Sequence, residues 1–588
     1  MSKKWQVNED KAWFKKWWPK NVPKNYDFQE ITLGEFFETQ RKKYPNDNVI
    51  WFLETWMTYE ELGKNIDSFA TALHNLGIKK NDCIAFLLPN CFQYVIAFFA
   101  CAKLGAIATG INPTYKPLEV LHHLEITNAK TLITLDALWK ELVEPILGKH
   151  KLDFVIYTNV ADMAIGIPKA LRILGKLIGK IPKGKVTFDP SYKFTDLLET
   201  TPNLPDIKIN PTEDTVTYIM TGGTTGVPKA TDLTHFNVVS NAIQCMLWFG
   251  GEDPGIGDVG VLPMFHSFAM TAVMTFSIAA GGWMMLFPRP PATEEFLKEL
   301  QKIPAPKGLA YAGAEILFKR LADFPEIQNY DIMGKLRLCV SGAGPLHKPV
   351  QEAFEKNTGG RIVEGYGLSE ASPVVSGGNL FGESPLGTIG MPIPGTDWAI
   401  FPTEDFNKGL IADGLQGSKY GEENTGEICV CGPQVMKGYL NQPEETADTI
   451  KEWDGRKWLL TGDIGFMRED GTITIMYRKK QLIKVAGHSV FPKEVESMLM
   501  KNEAVSEAAV AGLPDPAGKV GEIIKAWVQI RPEYENKITV EELKAWTEEN
   551  LTKWKCPTLI EFIEEVPKNV LGKVQRRQLQ EADPLWNK

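Results

Sequence analysis

At 588 residues the chain exceeds what one hydrophobic core supports, so two or more domains are expected. A hydrophobic share of 44% and a charged share of 23% are those of an ordinary globular protein, and a net charge of −9 argues against a general nucleic-acid binder, which would be basic. The eight cysteines are scattered, and the spacing of Cys429 and Cys431 is not a zinc pattern. They read as buried small hydrophobes, and a reducing cytoplasm fits them.

In chain order, residues 1–24 mix lysines with Trp5, Trp13, Phe14, Trp17 and Trp18 and have no continuous apolar core, unlike a secretory signal. Strand-like and helix-like runs then alternate at Cys83–Leu88, Tyr94–Leu104 and Ala106–Ile111. The same alternation returns at Leu336–Val340, Leu346–Lys356 and Ile362–Glu364, which predicts mainly parallel sheets flanked by helices. Residues 163–186 carry basic side chains and no acidic one. Lys169, Arg172, Lys176 and Lys180 fall on one helical face, and Leu171, Leu174, Leu177, Ile178 and Ile181 on the other. This pattern suits an anionic membrane surface, while the plainer expectation is a solvated helix whose leucines pack on their own domain.

Thr215–Met220 predicts a strand feeding a loop made of Thr221, Gly222, Gly223, Thr224, Thr225, Gly226, Val227, Pro228 and Lys229. Glycines turn backbone N–H groups toward an anion, threonines add hydroxyl donors and lysine adds charge, so the loop is a candidate phosphate grip. It is not a Walker A loop, because Val227 and Pro228 separate Gly226 from Lys229 and no helix start follows. His266 ends the run Leu262–Phe265 and reads either as a packing residue or as a substrate contact. The uncharged stretch Ser267–Pro288 is the strongest candidate span, but Gly281 and Gly282 divide it into a buried helix and a buried strand.

Gly342, Ala343 and Gly344 close the run Leu336–Val340; such a strand end lets a flat base approach the backbone, and ordinary turns look the same. In the segment Glu364–Glu370, Gly365 and Gly367 flank Tyr366, whose ring can stack on a base. Ser369 offers a hydroxyl to phosphate and Glu370 a hard oxygen to Mg2+. The texture then changes to short strands at Glu427–Cys431, Lys457–Thr461 and Thr472–Tyr477. Asp463 stands at the Thr-Gly-Asp turn after Leu460, where an aspartate can also be a plain turn cap. An α+β segment follows at Val505–Gly512, Ile523–Ile530, Thr539–Leu551 and Leu559–Val566.

These motifs, in this order from about Thr32 to Leu579, resemble the adenylate-forming superfamily of acyl-CoA synthetases, firefly luciferase and peptide-synthetase adenylation domains. The resemblance implies an α/β protein: a large N-terminal domain of two α/β subdomains plus a β-barrel (1–477), a hinge (478–480), and a small mobile α+β C-terminal domain (481–588). It also implies roles. Tyr366 stacks adenine, residues 342–344 line its pocket, Asp463 and Arg478 hold the ribose, Ser369 contacts phosphate and Glu370 holds magnesium. Lys573, in the stretch Pro567–Lys573, bridges the carboxylate and the α-phosphate, and His266 lies beside the acyl group. Lys480 stands at the hinge position and Gly487 where the pantetheine arm of CoA passes. Two departures stand out: Ala230 replaces the glycine usual after Lys229, and Ala486 stands where the family often has lysine.

The implied reaction joins a carboxylic acid, most like a long-chain fatty acid, to CoA through an acyl-adenylate, with ATP, Mg2+ and CoA as cofactors. Medium-chain, branched, cyclic or aromatic acids remain open, as does donation to a carrier protein; a non-catalytic binder is disfavoured by the presence of Lys573, Glu370 and Asp463. No carrier domain is expected after Leu579, no nucleic acid is expected as a partner, and the oligomeric state is open. The expected location is cytoplasmic, with peripheral contact at the membrane face through residues 163–186 as the extension of that reading.

Overall fold

The computed structural model describes residues 5–221, 228–481, 483–485, 488–490, 492–517, 521–569, 572 and 574–586. Two large sheets carry the N-terminal part. One has eight strands in the spatial order Gly438–Tyr439, Lys229–Thr234, Thr215–Thr221, Ile107–Gly110, Cys83–Leu87, Thr131–Leu135, Phe154–Thr158 and Ser191–Lys193. The other has nine, in the order Met391–Pro392, Val374–Gly377, Arg361–Gly367, Leu336–Gly342, Leu309–Ala314, Gly257–Gly260, Trp283–Leu286, Asn48–Phe52 and Thr55–Thr58. Their central ladders are parallel, as the βαβ alternation requires. Strands such as Trp283–Leu286 are buried at every position, because helices cover both faces of a parallel sheet.

One apolar core runs through both sheets, including Ile84, Phe86 and Ile133 from the first and Met284, Leu286 and Leu338 from the second. The helix Phe92–Leu104 is buried on nearly every side, which its lack of a polar face dictates, and Gly105 ends it in the left-handed region at φ 69°. The expected small barrel is a five-stranded antiparallel sheet of Asp397–Phe401, Gly426–Cys431, Ile450–Trp453, Arg456–Met467 and Ile473–Arg478. Beyond it a hairpin (Ile483–Val485 with His488–Val490) and a three-stranded sheet (Val505–Pro514, Glu522–Ile530, Leu559–Phe562) share a separate core around Val495, Leu499 and Leu543. The stretch Ser267–Pro288 is the expected helix, turn and strand. Helical backbone runs to Ala280, Gly281 closes it at φ 67°, and no described helix is long and apolar enough to cross a membrane.

Residues 163–186 reverse one sequence expectation. Their helix covers Lys169–Leu177, and its leucines do not pack on the domain: Leu171, Leu174, Leu177 and Ile178 are exposed. Part of the basic face turns inward instead, through Arg172 and Lys176. Arg172 Nη1 donates to the carbonyls of Ala161 (3.2 Å) and Asp162 (3.0 Å), and Lys176 pairs with Asp162 at 3.1 Å.

The N-terminal aromatic segment, which the sequence left without a role, is bound into the five-stranded unit. Trp13 is fully buried and meets Trp398 edge-on at 6.0 Å between ring centroids. Lys11 is buried beside it and pairs with Asp413 at 3.0 Å and Asp397 at 3.4 Å. Truncating a buried tryptophan leaves a cavity that its neighbours fill only partly, so Trp13→Ala is expected to cost about 3–5 kcal/mol. Urea unfolding of parent and variant checks this; a loss below about 1 kcal/mol would mean the segment is only loosely attached.

Candidate active site

Asp463 joins two other candidate site residues, Tyr366 and Arg478. It lies on the strand Arg456–Met467, just past Gly462, whose φ of 72° supplies the expected turn. Its carboxylate is buried and has two partners: Oδ2 accepts from the Tyr366 hydroxyl at 2.7 Å, and Oδ1 accepts from Arg478 Nε at 2.8 Å. Arg478 is placed there by strand register, since Asp463 and Arg478 face each other across an antiparallel ladder. The Asp463 charge raises the Arg478 pKa further, and burial, then Asp463, pushes the Tyr366 hydroxyl well above its usual range. Tyr366 is therefore a neutral donor at physiological pH. Its ring is held by a strand in which Gly367 approaches the Pro373 carbonyl so closely that an added Cβ would lie 2.2 Å from the oxygen.

Residues 342–344 form a tight strand end beside this group. A Cβ on Gly342 would stand 2.8 Å from the Phe268 ring, so a larger residue would have to displace that ring. Ala343 has φ 65°, a left-handed conformation that costs a non-glycine residue about 1–2 kcal/mol. Gly344 has open space where a side chain would be.

Four residues after Tyr366 the chain reaches a different chemistry. Glu370 accepts from the Tyr439 hydroxyl at 2.8 Å. The Lys229 ammonium lies 5.2 Å from the centroid of the Tyr439 ring and pairs with Glu445. Ser369 Oγ and Ser267 Oγ are 2.9 Å apart. Sequence reasoning found Lys229, Ser369 and Glu370 but missed Tyr439, Glu445 and Ser267. Tyr439 arrives through the antiparallel pairing of Gly438–Tyr439 with Lys229–Thr234, a contact across more than two hundred residues that no local pattern announces. A hard dication is commonly held by one or two carboxylates together with substrate phosphates. Glu370 is a single carboxylate of the kind that mode uses, and no cluster of three metal-ligating side chains occurs among the described residues.

Thr221 closes the base of the predicted phosphate loop, with Oγ1 donating to the Lys229 carbonyl at 3.3 Å. Gly222, Gly223, Thr224, Thr225 and Gly226 lie outside the described residues, as do Gly487 and Lys573. Lys480 lies in the short turn Lys479–Gln481. His266 opens the helical stretch from Ser267, and its Nδ1 accepts from the Phe268 N–H at 3.2 Å. A Cβ on Gly110 would stand 2.6 Å from both Phe265 and the Tyr94 hydroxyl, so the strand end Ile107–Gly110 backs this segment.

The C-terminal part touches the large domain near the site. A Cβ on Gly572 would come within 3.2 Å of Ile316, so the residue before Lys573 sits on the helix Glu315–Ala322. At the start of that helix Glu315 meets His347 at 2.9 Å. Glu364 accepts from the Leu346 N–H at 2.9 Å and lies within electrostatic reach of Lys493 from the small domain, of His347 and of Glu315. Burial pushes the Glu364 carboxyl from 4.5 to about 7.

A Tyr–Asp–Arg chain around the buried Asp463 and a Lys–Tyr–Glu cluster beginning four residues after Tyr366 match the arrangement expected of an adenylating enzyme. The AMP-binding enzyme family matches residues 37–440, and the AMP-binding enzyme C-terminal domain matches residues 494–573. The Long-chain-fatty-acid--CoA ligase of Bacillus subtilis is 35% identical over 583 residues, covering 98% of this chain and 99% of that one. The ligase of the same name from Yersinia pestis is 33% identical over 588 residues, covering 98% of each. Among solved structures, the anthranilate CoA ligase AuaEII in complex with anthranoyl-AMP shares the fold, with a TM-score of 0.74 at 24% identity over 96% of this chain and 98% of that one. The chain belongs to the AMP-binding enzyme family and is an adenylate-forming acyl-CoA ligase.

The raised Glu364 pKa fixes a pH dependence. The folded state holds this proton more tightly than the unfolded chain, so the associated stability is full below about pH 4.5 and is lost as pH rises through about 7. Unfolding midpoints of the parent and of Glu364→Gln, taken from pH 5 to 8.5, should therefore diverge in one direction, the parent weakening relative to the variant as pH rises. A constant gap across that range would show that Glu364 titrates normally.

Proposed function

We propose that this protein activates a long-chain fatty acid and transfers it to CoA, and that the segment Tyr366–Glu370 is the ruler along which ATP is laid. The supporting observation is the separation of two chemistries on that short segment: a ribose-type carboxylate at Tyr366 and a cation-bearing cluster at Glu370. The adenine stacks on Tyr366 beside residues 342–344, and the ribose hydroxyls donate to Asp463, which Tyr366 and Arg478 hold in place. Lys229 and the loop 221–226 take the phosphates with Ser369. Glu370 would hold Mg2+, which would supply charge neutralisation for the pyrophosphate.

In the first half-reaction a carboxylate oxygen of the acid attacks the α-phosphorus and pyrophosphate leaves. Lys573 stabilises the charge gathering between the two reactants, and the seat of Gly572 on Ile316 supports its delivery to this face. The acyl chain runs past His266. In the second half-reaction the thiol of CoA loses its proton and attacks the acyl carbonyl, and AMP leaves. Residues 478–480 act as the hinge between domains 1–477 and 481–588; turning about it withdraws Lys573 and brings Gly487 to the pantetheine arm. The long-chain acid is supported by the near-complete overlap with the ligases of Bacillus subtilis and Yersinia pestis.

Pyrophosphate release measured across acids of increasing chain length, with branched and aromatic acids included, tests the substrate class. The rate should be highest on long straight chains; a maximum on an aromatic acid would replace that reading. Lys573→Ala should slow adenylation by roughly 10²–10³-fold, the loss of one preorganised charge-stabilising donor. Thioester formation from supplied acyl-adenylate should survive in that variant, and equal loss of both steps would defeat the two-conformation scheme. Glu370→Gln should raise the Mg2+ concentration needed for half-maximal rate, because a neutral amide binds a hard dication more weakly. An unchanged requirement would take Glu370 out of the metal site.

A further inference from the structure

The helix Lys169–Leu177 is mounted the wrong way round for a surface helix of a globular domain. Such helices turn apolar residues to the core and charges to water. Here Arg172, Gly175 and Lys176 face the protein, while Leu171 is 56% exposed, Ile173 51%, Leu174 49%, Leu177 69% and Ile178 57%. Ile165, just before the helix, is 75% exposed. Isolated exposed aliphatics are ordinary, but six within fourteen consecutive residues form a contiguous patch.

The mounting is specified, not incidental. Gly166 lies so close to the turn before Thr55 that an added Cβ would stand 1.8 Å from the Glu54 carbonyl oxygen, and its N–H donates to Thr55 Oγ1 at 2.9 Å. At the far end Gly184 is pressed on the Asp136 carbonyl in the same way, at 2.0 Å. Between these two seats, Arg172 and Lys176 are held by Ala161 and Asp162. The charges that hold the helix are thus its inward ones, and the apolar ridges are left outward.

Basic residues ring the exposed ridges. Lys169, Lys180, Lys183 and Lys185 are all exposed, none has an ion pair among the described residues, and residues 163–186 contain no acidic side chain. This concentration of positive charge sits on a protein whose net charge is −9. A second copy of the chain is a poor occupant, because a two-fold contact through this face would set like charges against each other. An anionic lipid surface satisfies both halves: acyl chains accept the aliphatic ridges and headgroup phosphates accept the lysines.

We propose that residues 163–186 dock this protein on an anionic membrane surface, with Leu171, Ile173, Leu174, Leu177 and Ile178 entering the acyl boundary and Lys169, Lys180, Lys183 and Lys185 meeting headgroup phosphates. Docking needs no acid, ATP or CoA, so it stands apart from the choice of substrate. The test is flotation of the purified full-length protein with vesicles of equal parts phosphatidylglycerol and phosphatidylcholine, against vesicles of phosphatidylcholine alone, at low and high salt. The parent should float with the anionic vesicles and be released by salt. Leu171→Asp, Leu174→Asp and Leu177→Asp combined should lower partitioning at least about tenfold, from the lost apolar burial alone. Lys169→Gln, Lys180→Gln, Lys183→Gln and Lys185→Gln combined should lower it by roughly a hundredfold or more and flatten the salt dependence. Both variants change only exposed side chains and leave Arg172 and Lys176 in place, so unchanged unfolding midpoints serve as the control. Absence of parent binding, equal binding to both vesicle types, or binding that survives either variant would overturn the proposal. So would a concentration-dependent dimer that the leucine variant abolishes in the absence of vesicle binding.

Discussion

A buried carboxylate must be partnered, and the way Asp463 is partnered determines how the rest of the molecule is joined. Desolvating an unpaired aspartate costs several kcal/mol, so the fold has to bring it donors. Tyr366 comes from the nine-stranded sheet, Asp463 from the middle of the five-stranded unit, and Arg478 from the last strand before the C-terminal part. Asp463 and Arg478 share the five-stranded unit, so two architectural pieces, that unit and the nine-stranded sheet, meet in one hydrogen-bonded chain. The same contact that fixes their relative position also leaves a carboxylate oriented beside an aromatic ring and a glycine-rich strand end. That combination of a flat face and an oriented acceptor is what the proposed reading assigns to the nucleoside.

The placement of the phosphate-side groups follows from the geometry of one strand. Extended backbone carries Arg361–Gly367 to the end of the nine-stranded sheet, and the turn after it sets Ser369 and Glu370 toward the edge of the eight-stranded sheet. There the pairing of Lys229–Thr234 with Gly438–Tyr439 supplies a cation and a phenol. The cluster around Glu370 thus draws side chains from the chain that follows one sheet and from the edge of the other. Glu364, two residues before Tyr366 on the same strand, lies within electrostatic reach of Lys493, so one strand carries both Tyr366 and a group near the small domain.

The elements that sequence patterns locate well are those with a local physical cause. Cys83–Leu87, Phe92–Leu104, Leu336–Gly342 and Val505–Pro514 are continuous apolar runs or full helical stripes bounded by glycine or proline, and they lie within a few residues of where hydropathy puts them. Asp463, Arg478, Tyr366, Ser369 and Glu370 stand out through motif spacing, and the structure gathers them. Tyr439 and Glu445 were not legible, because they matter only through a long-range ladder and an ion pair to Lys229. The inward turn of Arg172 and Lys176 was not legible either. Helical periodicity shows that a face is basic and a face is apolar, but not which of them meets the protein; Asp162 and the close seats of Gly166 and Gly184 decide that. The N-terminal tryptophans are a similar case, since only the pairing of Lys11 with Asp413 and Asp397 turns them into part of the five-stranded unit.

The central claim is that Tyr366–Glu370 sets the direction in which the nucleotide lies. A crystal structure of the protein with a non-reactive acyl-adenylate analogue tests it most directly. The ribose hydroxyls should lie within hydrogen-bond distance of Asp463, the adenine against the Tyr366 ring beside Gly342–Gly344, and the phosphate next to Ser369. A nucleotide bound in the reverse direction, or at a place where Asp463 keeps no contact with it, would contradict the account.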